Sequence, residues 1–355
     1  MRTLVVSDLH LGARGEPDML RRPGARDALM TAAAQADRLV LLGDVIELRH
    51  GPQRDAFAAA QPVLEELGAA LGDGAEVVLV PGNHDHRLLG EWSGRRASDG
   101  PPPPLGLSSP VDWRDDEPLA RIAEWLAPAR MRAAYPGIWI RDDVYATHGH
   151  YGDRNTTVPI LERLGAGVMA RVISQDGARA RSEDYEAALA PMYAWIDAVA
   201  EQGGLGRRRG GSVQVRAWRG LQGSRRRVRT RAVALGFRAF VFGLNRAGIG
   251  PLRPDISGAE LRRAGLRAFG EVLAGLEVPA RHVLFGHTHR AGPLPGDERS
   301  EWVAPTGAQL LNTGCWVYER GFLGEEPGRS PYRPGFAAVV GDDGAPELVN
   351  LLDPA

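Results

Sequence analysis

Five apolar runs of the sequence each end in side chains that can bind a metal ion or move a proton. The runs are short and uncharged, which is typical of buried β-strands. Carboxylate, imidazole and amide groups follow them, and Mn²⁺, Fe and Zn²⁺ accept this mixture of ligands. The residues concerned are Asp8 and His10, Asp44, Asn83, His84 and Asp85, His148 and His150, and His287 and His289. The pattern predicts one metal site assembled from five turns.

The distribution of histidine supports this prediction. Seven of the nine histidines lie in these turns or directly beside them. In open α/β folds, sites lie outside the carboxyl ends of the strands, so the five turns should converge. We place Asp44 at the centre, because a carboxylate can hold two cations, one on each oxygen.

The five turns resemble the five blocks of the calcineurin-like metallophosphoesterases, in the order of that family. The matching residues are Asp8-x-His10, Gly43-Asp44-x-x-Glu47, Gly82-Asn83-His84-Asp85, His148 within Thr-His-Gly-His, and Gly286-His287-x-His289. The resemblance implies an α/β fold of two packed mixed β-sheets flanked by helices. It also implies a phosphoester hydrolase with two divalent metal ions, Mn, Fe or Zn, and a hydroxide that bridges them and attacks phosphorus.

The resemblance also implies which side chains bind each metal. Asp8, His10, Asp44 and His289 would hold one cation, and Asp44, Asn83, His148 and His287 would hold the other. The matching histidine of the family, here His84, protonates the leaving oxygen or stabilises developing charge. Asp85 is expected to hold the His84 ring and raise its pKa. Glu47 is expected to orient a ligand imidazole, or else to be an exposed carboxylate.

Three further residues are candidates for contact with the substrate. Arg290 follows the last ligand turn, where a guanidinium can clamp a phosphate bidentately. Arg87 lies just past the third turn, and His150 lies two residues after His148. Each has a plain alternative as a solvated loop residue.

The order of the turns also predicts the domain organisation. Residues 1–154 and 276–355 would form the catalytic domain, and residues 155–275 a helical, Arg-rich cap inserted between the fourth and fifth turns. Residues 207–246 carry many Arg and no Asp or Glu. This segment can contact an anionic membrane, remain a solvated cap, or track nucleic acid. Because the segment contains several phenylalanines, we rank contact with a membrane first, a solvated cap second and nucleic-acid binding third.

Composition narrows the class of protein. Net charge is −1, so no global charge draws the chain to nucleic acid or membrane. The single cysteine excludes an intrachain disulfide and fits a reducing compartment. No signal peptide and no apolar run of about 18 residues is evident. We therefore expect a cytoplasmic protein that can be peripheral to the membrane. The oligomeric state is not predicted.

The substrate class rests on a narrower resemblance. Asp-Leu-His-Leu near residue 8 and Gly-His-Thr-His-Arg near residue 287 are similar to the UDP-2,3-diacylglucosamine hydrolases, although that group usually has Arg where this chain has His84. A lipid-linked or nucleotide phosphoester or pyrophosphate is the leading expectation. A nuclease or cyclic-nucleotide phosphodiesterase is the alternative among enzymes. A non-catalytic binding scaffold is the alternative of another class.

Overall fold

The computed structural model describes residues 1–15, 17–98, 104–155, 181–186, 189, 258–323 and 326–353. Within these ranges the strands are β1 Thr3–Val6, β2 Arg38–Leu42, β3 Glu76–Val80, β4 Ser108–Val111, β5 Arg130–Arg141, β6 Val144–Thr147, β7 His282–Phe285, β8 Gln309–Asn312, β9 Phe336–Val340 and β10 Glu347–Asn350. The α-helices are α1 Pro23–Ala33, α2 Gln53–Leu71, α3 Gly90–Ser98, α4 Pro118–Trp125, α5 Gly258–Gly275 and α6 Arg320–Leu323.

The strands form one hydrogen-bonded path that has two halves. The order is β10-β9-β1-β2-β3-β5-β6-β7-β8, with β4 paired to β5. The first part of β5 runs parallel to β3, and its last part pairs antiparallel with β6. Strands β1, β2 and β3 are parallel, as are β6, β7 and β8. The carboxyl ends of the parallel strands are therefore brought to common edges.

The two halves pack face to face. Alternate side chains of each strand point to opposite sides, so one set lies between the halves and the other faces the helices. Val40 and Val78 of one half share an apolar cluster with Ile138 and Leu284 of the other. Their neighbours Leu39 and Val77 face the cluster that α1, α2 and α4 cover. The predicted fold of two packed mixed sheets flanked by helices is thus confirmed.

Helix α2 shows how the sequence covers the sheet. Its buried residues Phe57, Ala60, Leu64 and Leu67 recur at three- and four-residue spacing, so they form one stripe. On the other half, α5 places Leu266, Phe269 and Leu273 against Val283 and Phe285. Helix α5 comes from the end of the predicted insertion and packs on the catalytic core.

Local sequence patterns and the structure differ in two places. The spacing of Leu119, Ile122, Trp125 and Leu126 indicates a helix over residues 119–134, but α4 ends at Trp125 and β5 begins at Arg130. Pro128 lies between them, and proline has no N–H with which to continue a helix. The prolines and charged residues of 93–118 indicate a loop, but α3 extends to Ser98 and β4 pairs with β5. Tertiary pairing outweighed the weak local signal there.

The insertion is described only in part. Residues 207–246 lie outside the described residues, so the contact predicted for them stays a prediction, as do the domain boundaries. In the described part of the chain, no helix is long and apolar enough to cross a membrane.

Candidate metal centre

The five ligand turns meet at one place, and several of their residues have strained backbones. Asp8, His10, Asp44, His287 and His289 have φ between 46° and 66°. Among the described non-glycine residues, only Glu277 shares a positive φ. Such conformations are costly for residues with a Cβ, and they concentrate at functional sites. The fold therefore holds these side chains in place at some cost in free energy.

Close packing between turns explains two glycines of the motifs. Gly43 has φ +82°, and a Cβ there would collide with the His148 ring. A Cβ on Gly286 would collide with the Asp8 carboxylate. Glycine is the residue that permits both approaches.

One cluster contains Asp8, His10 and His289. Their ligand atoms all lie within 4.8 Å of one another. His289 Nε2 is 3.3 Å from Asp8 Oδ1 and 3.1 Å from His10 Nε2. Asp8 Oδ1 is buried and accepts no hydrogen bond from the described residues, while Asp8 Oδ2 accepts from Ser7 Oγ and the His287 N–H. A cation would satisfy that buried oxygen.

A second cluster contains Asp44, His148 and His287, with Asn83 beside them. Asp44 Oδ2 is 3.2 Å from His148 Nε2. One end of the Asn83 amide is 3.2 Å from His148 Nε2, 3.3 Å from Asp44 Oδ2 and 3.0 Å from His287 Nδ1. Several lone-pair atoms facing one point form a suitable donor set for a cation.

Asp44 lies between the two clusters. Its Oδ2 is 3.8 Å from His10 Nε2, in addition to its contact with His148. Burial alone would raise the pKa of Asp44, but the neighbouring His148 and His84 imidazoles hold that pKa well below its usual range. An ionised, buried carboxylate between two imidazole groups has the position expected of a ligand shared by two cations.

Outer partners orient three of the imidazoles. Glu47 Oε2 is 2.9 Å from His10 Nδ1, the Leu42 carbonyl is 2.9 Å from His148 Nδ1, and Asp153 is 3.0 Å from His287 Nε2. Each partner leaves the other ring nitrogen for the cluster, as at metal sites in general. Glu47 is therefore buried against the His10 imidazole and is not an exposed carboxylate.

This geometry has a counterpart among known protein families. The family model described as calcineurin-like phosphoesterase matches residues 1–195, more than half of the chain. The chain belongs to this family. It is therefore a metal-dependent phosphoester hydrolase, and the family uses a dinuclear divalent metal centre. No curated protein matches the chain. A solved dimetal phosphatase from Danio rerio is similar over 99% of both chains at 14% identity, with a TM-score of 0.35.

In this calcineurin-like phosphoesterase, His84 lies beside the two clusters. One of its ring nitrogens groups with the ligand atoms of His10 and Asp44. His84 Nδ1 is 2.8 Å from Glu47 Oε2, and the ring is about one-fifth exposed (21%). Glu47 thus contacts His10 and His84 with the same oxygen.

The role expected of Asp85 needs correction. Its carboxylate accepts backbone N–H groups of Gly82 and Val45, at 2.6 and 2.7 Å, rather than holding the His84 ring. Asp85 therefore shapes the turn that carries Asp44, and Glu47 is the carboxylate on His84. Burial and the nearby Asp44 charge raise the pKa of Asp85.

Two of the expected substrate contacts are also corrected. Arg290 is buried, and Asp297 binds its guanidinium at 2.5 and 3.0 Å, so these donors serve the fold. His150 is buried, with Nε2 3.1 Å from the Tyr135 hydroxyl. Arg87 is half-buried, and its contact with substrate stays a prediction.

Sequence reasoning missed Asp153 and Arg49. Asp153 lies past the fourth turn, and nothing in its local sequence indicates that it reaches His287. Arg49 Nη1 lies 2.9 Å from the other end of the Asn83 amide. The position of Arg49, two residues after Glu47, was the only available signal.

The clusters predict that metal binding releases protons. Burial alone would lower the pKa of His10 and His148, but Glu47 and Asp44 raise the pKa of His10 to about 9, and Asp44 raises that of His148 to about 10. Because a cation needs the unprotonated imidazole, metal affinity should keep rising with pH up to this range. An ordinary imidazole would compete with the cation only below its pKa of about 6.5.

Calorimetric titration of the metal-free protein with Mn²⁺, in buffers of different ionisation enthalpy, measures this release. At about pH 7.5 we expect at least one proton per protein, where an ordinary histidine would release almost none. His282→Gln, a change outside the turns, should release as many protons as the wild type. Binding without proton release would contradict the prediction.

Proposed function

We propose that this calcineurin-like phosphoesterase hydrolyses a phosphoester or pyrophosphate carried by a lipid or a nucleotide, and that His84 supplies the leaving-group proton. The observation that carries the proposal is the place of His84. It is partly exposed, one of its ring nitrogens lies with the ligand atoms of His10 and Asp44, and Glu47 holds its Nδ1. Such an acid matters most for poor leaving groups such as sugar or nucleoside oxygens.

The donor set fits two cations of the Mn, Fe or Zn type. Asp8, His10, Asp44 and His289 would hold one, and Asp44, Asn83, His148 and His287 the other. Bound metals of this kind lower the pKa of water and stabilise charge on phosphoryl oxygens.

The chain's own residues orient the groups and move the proton. The backbone N–H of His84 donates to Asp44 Oδ1 at 2.7 Å, which fixes the acid relative to the shared carboxylate. With Nδ1 bound to Glu47, Nε2 is the atom left for the leaving oxygen. Glu47 is buried and ionised, so it can accept the Nδ1–H of His84 and fix the orientation of the ring. Arg49, beside Asn83, adds positive charge that favours a phosphate.

The proposal that the substrate is carried by a lipid or a nucleotide is based on the sequence. The first and last ligand turns resemble those of UDP-2,3-diacylglucosamine hydrolases. Residues 207–246 combine Arg with apolar residues in the pattern of a membrane-surface segment. We propose that this segment brings the enzyme to an anionic membrane that carries its substrate.

A hydrolysis screen with added Mn²⁺ tests the substrate class. It should compare p-nitrophenyl phosphate, bis-p-nitrophenyl phosphate, nucleotide sugars, single-stranded DNA, and a lipid-linked pyrophosphate in anionic vesicles. We expect turnover of the vesicle-bound or nucleotide substrates to exceed that of DNA. Salt should weaken vesicle binding without abolishing it, since apolar insertion is not screened.

Replacing Phe237, Phe240 and Phe242 together with Ser gives the matched comparison. The triple variant should lose the salt-resistant part of vesicle binding and keep full hydrolysis of p-nitrophenyl phosphate. A marked preference for DNA would support a nuclease instead. Ligand binding without turnover of any ester would support a binding scaffold.

A further inference from the structure

A half-buried carboxylate from the predicted insertion contacts side chains that lie next to the ligand turns. Glu186 belongs to the described stretch 181–186, which is separated in sequence from every ligand turn. Its Oε2 is 3.0 Å from His86 Nε2, and its Oε1 is 2.6 Å from the Tyr151 hydroxyl. The Tyr135 hydroxyl also donates to Oε1. Three side chains of the catalytic domain thus bind one side chain of the insertion.

Glu186 is ionised, and this determines the direction of the hydrogen bonds. Burial alone would raise the pKa of Glu186, but the neighbouring His86 and the Tyr135 hydroxyl hold it at about 2. An ionised carboxylate can only accept hydrogen bonds, so both tyrosines donate to it. The Tyr135 oxygen is then an acceptor for His150 Nε2, 3.1 Å away. The contact selects the His150 tautomer that carries its proton on Nε2.

His150 in turn packs against ligands of the second cluster. Its ring centroid lies 5.6 Å from that of His148 and 6.5 Å from that of His287. His150 is buried, so a shift of its ring would have to move these neighbours. The chain of contacts runs from Glu186 through Tyr135 and His150 to His148.

We propose that Glu186 is a positioning residue for the half of the metal centre formed by Asp44, Asn83, His148 and His287. It acts through Tyr135 and His150, and the insertion therefore contributes to metal binding. The inference goes beyond the substrate class proposed above and does not depend on it. A purely structural role would instead stabilise the whole fold without distinguishing between the two metal positions.

Metal titration of variants tests this inference. The metal-free proteins Glu186→Ala, Glu186→Gln and Tyr135→Phe are titrated with Mn²⁺ by calorimetry, and bound metal is counted by elemental analysis. We expect the affinity of one metal equivalent to fall by about tenfold in Glu186→Ala and Tyr135→Phe, the lower end of effects for outer partners of metal ligands. The other equivalent should keep its affinity. Glu186→Gln retains an acceptor oxygen for Tyr135 and should restore part of the loss.

Asp184→Asn is the matched control, because Asp184 is an exposed carboxylate of the same stretch. It should bind both equivalents with wild-type affinity. Wild-type affinities in both Glu186→Ala and Tyr135→Phe would overturn the inference. So would an equal loss at both metal positions with a lower melting temperature, which is the result of a purely structural role.

Tyr135→Phe removes one hydroxyl and decides the question if Glu186→Ala does not fold. Where both fold, the double variant should lose little more affinity than either single variant, because the two residues act in one chain. Additive losses would overturn the proposed relay.

Discussion

Replacing Asp44 with Asn should remove at least one metal ion and nearly all turnover. Asn keeps the size of the side chain but loses the charge that offsets two cations. Asp44 is buried, and its Oδ2 lies 3.2 Å from His148 Nε2 and 3.8 Å from His10 Nε2. A catalytic cation contributes several kcal/mol to transition-state stabilisation, and each step of about 1.4 kcal/mol is tenfold in rate. We therefore expect a loss of at least about 10³-fold.

Elemental analysis and turnover of p-nitrophenyl phosphate measure this result. Circular dichroism should confirm that the variant is folded, since the amide oxygen of the introduced side chain can still accept the backbone N–H of His84. The matched control is Asp55→Asn, an exposed change in α2 that should leave two equivalents of metal and full activity. Two equivalents bound to Asp44→Asn at wild-type affinity would exclude a shared carboxylate.

His84→Ala should leave the metals bound but slow hydrolysis of esters with poor leaving groups by about 10²–10⁴-fold. The variant keeps the backbone N–H that donates to Asp44 Oδ1, so the clusters should retain their geometry. For p-nitrophenyl esters the loss should shrink, because p-nitrophenolate leaves without a proton. The measurement is kcat for a matched pair of esters that differ only in the leaving group.

His50→Ala provides the control for a general disturbance around Glu47. His50 Nδ1 is 3.6 Å from Glu47 Oε2, yet His50 belongs to neither metal-binding cluster. It should change both rates little. An equal loss for both esters in His84→Ala would show that His84 stabilises charge or orders the turn, and is not an acid.

Local sequence patterns account for the strands and for the polar residues that follow them. Strands β1, β2, β3, β6 and β7 each end just before one of the five predicted turns, and the family match agrees with the family inferred from those turns. These features are local. An uncharged apolar run indicates a buried strand, and a glycine beside an acidic or imidazole side chain indicates a ligand turn. The metal chemistry follows from residue types that lie next to each other in the sequence.

Which side chains contact the clustered imidazoles and His84 depends on tertiary contacts that local sequence does not indicate. Asp85 is next to His84 in sequence, but its carboxylate turns to backbone N–H groups, and Glu47 reaches the ring instead. Arg290 follows the last ligand, yet Asp297 binds it. Such contacts depend on which turns the sheet brings together.

The contact between Glu186 and Tyr135 shows the physical reason most directly. These residues lie 51 positions apart, on β5 and in the predicted insertion. Burial of an ionised carboxylate is costly unless donors surround it, and the donors come from segments that meet only in the folded chain. The spacing of residues in the sequence does not predict these contacts, because hydrogen-bond partners depend on distance in the folded chain.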